Sequence, residues 1–203
     1  MPELPLFPLG LVLFPDMLLP LHVFEPRYRE MMTQVLDRDG EFGVVLIKRG
    51  SEVGGGDLRS SVGTMAKILD YQAFADGRLM LLAIGTRRMW VEQWLADDPY
   101  PRAVIQYWPD VPAVVDPDLL DATKARLTEA LRLAEQLGVR PDGPIDLSND
   151  PAVASMQIAA RAPLSPLDKQ KLLRSPGAVR RLTFASALLD ESIELLRFRL
   201  GLV

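Results

Sequence analysis

Residues 42–48, FGVVLIK, are apolar and β-branched with no helical period, which predicts a short strand. VGTMAKILDYQAF (62–74) and RLMLLAIGTRRMWVEQW (78–94) flank Asp76-Gly77. That dipeptide predicts a hairpin closed by a type I′ turn, in which both central residues take positive φ. LMLLAI (79–84) is apolar at every position, so this strand is expected to be covered on both faces. RAVIQYW (102–108) alternates and is expected nearer an edge. Leu18–Phe24 is expected to be a strand that hands over at Pro26 to a helix ending near Leu36. Glu25 would lie at the positive end of that helix, where a carboxylate is favoured. On it, Tyr28, Met31, Met32 and Val35 share one face at helical spacing, and Asp39-Gly40 stops it. Prolines spoil ladder donors, so Phe14-Pro15-Asp16-Met17-Leu18 is expected along a sheet edge or a rim.

The pattern changes after VPAVVDPD (111–118). Asp116-Pro117, Asp150-Pro151, Ser165-Pro166 and Ser175-Pro176 each place a capping oxygen before a proline at the first helical position. Ser165 with Asp168 also resembles a capping box. The first predicted helix, 117–137, repeats Leu120, Thr123, Leu127, Ala130, Ala134 and Leu137. The last, 176–200, repeats Leu182, Ala185, Leu189, Ile193, Leu196 and Leu200. Strands first and helices after imply an α+β chain with a β-rich subdomain over 1–112 and an α-helical subdomain over 113–203.

Composition narrows the chemistry. The chain has 203 residues, no cysteine and one histidine. Disulfides, thiolate metal sites and cysteine nucleophiles are excluded, and the composition fits a reducing compartment. The N-terminus lacks the basic start of a signal peptide, and no apolar run is long enough to span a bilayer. Net charge is −4 with a pI near 5.1, which disfavours wholesale nucleic-acid binding.

Each candidate site has a simpler explanation beside it. His22 is the only possible histidine base, but it falls inside the apolar pattern LLPLHVF, and neither Gly-x-Ser-x-Gly nor Ser-x-x-Lys occurs. Asp37-x-Asp39-Gly40 starts like a calcium loop, yet its twelfth position is Lys48. Asp97-Asp98 before Pro99 reads as a turn. Gly54-Gly55-Gly56 with Arg59 nearby suggests an anion loop, but no Gly-x-x-x-x-Gly-Lys follows, so a loop tip is the simpler reading. Lys169, Lys171, Arg174, Arg180 and Arg181 lie in an acid-free run without interleaved aromatics, which reads as a solvated helix face. Asp190, Glu191 and Glu194 read as a charged stripe on one helix. Trp90, Trp94 and Trp108 are expected in the core or at a subdomain interface. No metal or cofactor is called for.

LPLFPLGLVLFPDMLLPLHVFEPRYREMM (4–32) resembles the N-terminal signature of the Lon substrate-binding domain, found at the front of ATP-dependent Lon proteases and in some stand-alone proteins. FGVVLI (42–47), VGTMAKI (62–68), the DGR turn (76–78), GTRRMWV (85–91) and KQKLL (169–173) are also similar, in order and across essentially the whole chain. The family usually has glycine after FP, where this chain has Asp16, and phenylalanine after the two arginines, where it has Met89; both are expected near rims. The resemblance implies a PUA-like β pseudo-barrel followed by a C-terminal helical bundle. It implies a stand-alone, non-catalytic, cytoplasmic module of protein quality control, because the P-loop and Ser-Lys peptidase segments of full-length Lon do not occur here. Its expected partners are client or unfolded protein segments, or a protease; its expected binding residues are Met17, Leu18, Tyr28, Met31 and Met32. The rival expectations are an RNA-binding PUA-like protein, and an enzyme built around His22 and scattered carboxylates.

Overall fold

The computed structural model describes residues 2–50, 58–139 and 146–202. Gly54-Gly55-Gly56, with the anion-loop expectation, lies outside the described residues. The chain divides into two compact units, one running to Pro109 and one starting at Asp110. The division falls slightly ahead of the expected boundary for a local reason. The Trp108 N–H donates to the Arg88 carbonyl at 3.0 Å, inside the strand unit. The Asp110 carboxylate is already gripped by Arg181 of the helical unit.

The strand unit holds β1 (Glu3–Leu9), β2 (Leu18–Val23), α1 (Pro26–Leu36), β3 (Glu41–Arg49), β4 (Leu58–Ala73), β5 (Leu79–Trp94) and β6 (Arg102–Tyr107). The sheet order is β2-β5-β4-β3-β1-β6, and β6 also pairs with β5. Five strands therefore close into a ring, and β2 hangs on β5. The length of β5 makes this possible. Its first half, Leu79–Ile84, pairs with β2, and its second half, Met89–Trp94, pairs with β6. Closure removes most of the free edges that would otherwise invite aggregation.

Strand β1 is proline-rich and was not predicted. It pairs through Glu3–Pro5 with β6 and through Leu6–Leu9 with β3. Each half thus has one side without a ladder partner, and a proline's missing donor costs nothing there. The hairpin at Asp76-Gly77 forms, but not through a type I′ turn. Only Gly77 takes positive φ, 80°, and its N–H donates to the Phe74 carbonyl, closing a turn over Phe74–Gly77. The Asp76 carboxylate accepts the Arg78 N–H instead, which holds its carboxyl below the usual range.

Two apolar clusters fill this unit. One contains Leu4, Leu6, Val45, Met65, Met89, Val91, Ala103 and Ile105, with Trp94 packed against it. Met89 is fully buried there, not at a rim. A Cβ on Gly43 or Gly63 would press on its Cε, so two glycines make room for an unbranched thioether. The other cluster lies beneath α1 and includes Phe7, Leu19, Leu21, Val23, Tyr28, Met31, Met32, Val35 and Phe42. Phe14, expected at a rim, is fully buried. Trp90 is exposed and meets Trp108 edge-on at 5.7 Å.

The helical unit holds α2 (Pro117–Gln136), α3 (Pro151–Arg161), α4 (Pro166–Leu173) and α5 (Ala178–Arg199). Asp116, Asp150 and Ser165 cap the first three as expected, accepting from Asp118, from Ala152 and Val153, and from Asp168. Ser175 does not cap α5, which begins after Gly177. The turn before α5 is committed elsewhere. Arg181 donates to the carbonyls of Leu172 and Ser175, and the Pro176 carbonyl accepts the Val111 N–H.

Candidate functional site

Alternation along β2 sends Leu19, Leu21 and Val23 into the core and leaves Leu18, Pro20 and His22 outside. On β5, Leu79, Leu81 and Ala83 point inward, so Met80, Leu82 and Ile84 point out. The register sets these outward residues side by side. Leu18 faces Ile84, Pro20 faces Leu82 and His22 faces Met80. The next strand adds Lys67, Asp70 and Gln72 beside Ile84, Leu82 and Met80. Phe24 extends the β2 column, its ring 5.9 Å from that of His22.

The result is an apolar strip two strands wide with a polar column on its β4 side. Relative exposure is 54% for Leu18, 51% for Phe24, 48% for Met80 and 37% for Leu82. This corrects the reading of LMLLAI as a strand covered on both faces: among the described residues, nothing covers Met80 and Leu82 on its outer face. Large apolar side chains grouped on one open face are the usual mark of a docking surface.

The five expected binding residues separate here. Leu18 belongs to the strip, and Met17 is half-buried beside its start. Tyr28, Met31 and Met32 do not present a surface: Met31 and Met32 are 0% exposed and Tyr28 stacks on Phe7 at 4.2 Å. Their helical spacing was real, but it describes the face of α1 that seals the core. Arg27 lies over the Tyr28 ring at 4.5 Å and bonds the Glu25 carboxylate at 3.1 Å, so this pair fixes the strand-to-helix junction. Phe24, Met80 and Leu82 were missed. For Met80 and Leu82 the signal was present in LMLLAI, whose apolarity exceeds what a one-sided strand needs.

The other candidates are occupied by structural contacts. Arg59 makes two bonds to the Asp97 carboxylate, at 2.9 and 2.5 Å, and lies over Trp94. Asp39 accepts the Glu41 N–H in a local turn. Among the described residues, no group of three or more histidine or acidic side chains is placed to hold a metal ion. The basic run is dispersed: Lys169 bonds the Ala160 carbonyl, Lys171 pairs with Asp168, and Arg180 lies over Phe184. Arg181 is not on a solvated face at all. It is fully buried, bound to Asp110 at 2.7 and 2.9 Å and to the Ser155 hydroxyl at 2.7 Å. Among the described residues, no helix is long and apolar enough to cross a membrane.

Comparison with known proteins adds an independent line. Residues 3–191 match the family model of the ATP-dependent protease La (LON) substrate-binding domain. The chain is 27% identical to a Lon protease of Cytophaga hutchinsonii and 26% identical to that of Escherichia coli K12, over 97% and 96% of its length. It spans only 25% of either relative. A Lon N-terminal domain protein from Xanthomonas campestris superposes with a TM-score of 0.70 at 27% identity, covering 92% of this chain and 98% of that one. The N-terminal domain of Lon protease from the Mycobacterium avium complex shares the fold at a TM-score of 0.64 and 15% identity, covering 94% and 99%.

Proposed function

The chain belongs to the family of LON substrate-binding domains, and from that premise we propose that it is a non-catalytic protein-binding module whose docking surface is the outer face of β2 and β5. The observation that carries the reading is the uncovered strip of Leu18, Phe24, Met80 and Leu82. A folded chain gains nothing from leaving four large apolar side chains together in water, whereas a partner that covers them gains about 25 cal/mol per Å² of apolar surface. Its clients would be unfolded or partly folded protein segments handed on to a proteolytic partner in the cytoplasm. The His22 ring supports no hydrolytic reading, since its neighbours on the face are Met80 and Phe24.

The test is binding of a permanently unfolded, reduced and carboxymethylated protein. Met80→Asp with Leu82→Asp is expected to weaken capture at least about tenfold, or about 1.4 kcal/mol, with the thermal midpoint little changed. Met31→Asp with Met32→Asp is expected instead to unfold the strand unit, because both charges would be buried without partners. Full capture by the folded Met80/Leu82 variant would refute the assignment.

A further inference from the structure

Resting on that reading, we infer that the strip takes an amphipathic helix with basic residues beside its apolar stripe, laid along β2 and β5, in preference to an extended segment. Three observations carry this. The first is the free edge of β2. The Gly85 N–H donates to the Met17 carbonyl, which makes the odd-numbered residues of β2 the ones bonded to β5. The backbone groups of Leu18, Pro20 and His22 therefore face the open edge, and Pro20 has no N–H to offer at its middle. An extended client recognised by strand addition needs those main-chain bonds, and a proline there blunts the edge.

The second is size. Six residue steps separate Leu18 from Phe24, which is about 20 Å of strand. Two strands about 4.8 Å apart, with their side chains, give a strip about 10 Å wide. A helix of about 14 residues is about 21 Å long and about 10 Å across. Its apolar stripe would cover both columns, Leu18–Phe24 and Met80–Ile84, at once.

The third is charge. Asp70 stands beside Leu82 in the polar column and Asp16 precedes the strip and is exposed, while Asp76 at the hairpin end is already paired with Arg78. Lys67, the base in that column, directs its ammonium to the Asp39 carbonyl. Through residue 110 the chain carries 15 acids and 11 bases. Lysine or arginine flanking the client's apolar stripe would meet these acids, and glutamate would be repelled.

Three labelled 14-residue peptides test this: an amphipathic helix of leucines with flanking lysines, the same composition in strict alternation, and the helix with glutamate for lysine. Fluorescence anisotropy on the full chain is expected to give a dissociation constant at least about tenfold lower for the lysine helix than for either control. That advantage over the glutamate helix should shrink at high salt. Leu82→Asp should abolish it, with Met80→Ser as a milder variant should the first fail to fold. Equal or tighter binding of the alternating or the glutamate peptide would overturn the inference. Loss of binding to all three while the unfolded protein is still captured would overturn it too. Failure of the unfolded protein itself to bind would overturn the parent reading, and so is distinguishable.

Discussion

Asp16 is the one non-glycine among the described residues with positive φ, at 62°. It occupies the position where the family usually has glycine, and aspartate tolerates this geometry better than most side chains, at a cost. Its N–H donates to the Gly85 carbonyl at 2.9 Å, so the turn sets where β2 meets β5 and hence how the strip begins. Asp16→Gly is expected to raise stability by up to about 1 kcal/mol, and Asp16→Val to lower it by about 1–2 kcal/mol. Chemical denaturation of the three proteins checks the order. Arg181 is constrained by burial instead. Removing its counter-ion by Asp110→Ala leaves a buried guanidinium uncompensated, which costs about 3–5 kcal/mol. Adding Arg181→Met to that variant should recover much of the loss, whereas no recovery would mean that Asp110 matters for another reason.

At the scale of elements, much of the chain was legible and the failures have physical causes. Helix α1 matches its predicted bounds because Pro26 starts it, Gly40 stops it, and four residues at helical spacing face one core. Three of four Asp/Ser-Pro caps formed; at the fourth, the Ser175 hydroxyl donates back to the Lys171 carbonyl of α4 while α5 starts after Gly177. Strand β1 escaped notice because its prolines are tolerable only where pairing switches from β6 to β3, a property of the assembled ring. LMLLAI was identified as a strand, but its outer face was assigned to the core, since sequence alone cannot distinguish apolarity meant for a neighbouring layer from apolarity meant for a visitor. In the helical unit, α2 and α5 are joined through Glu129, which bonds Arg132 on its own helix and Arg197 on α5. Arg132 above all, with Arg197, holds the Glu129 carboxyl at about 2, against an ordinary 4.5. A depressed acid stabilises above its unfolded pKa, and this contribution disappears as pH falls from about 4.5 through about 2. Thermal melts over that window should lose stability more steeply for the natural chain than for Glu129→Gln; parallel curves would contradict the linkage.

For the whole molecule, the closed ring solves two problems together. It pairs off most of the edges of five strands, and it extends β5 far enough that its first half carries β2 as an open flap of sheet with an apolar outer face. The family signature in residues 4–32 covers most of β1, all of β2 and the start of α1 but none of β5, which is why it revealed the fold well and the docking face only in part. Leu18 and Phe24 lie in both, with Met17 at the start of the strip, whereas Met80 and Leu82 lie outside the signature. The measurement that tests the central claim most directly is methyl NMR of the full chain during titration with an unfolded protein. The account predicts shifts or broadening at Leu18, Met80, Leu82 and Ile84, with the buried methyls of Met31, Met32 and Met89 and those of the helical unit little affected. Perturbations centred on the helical unit, with the β2–β5 methyls unmoved, would contradict it.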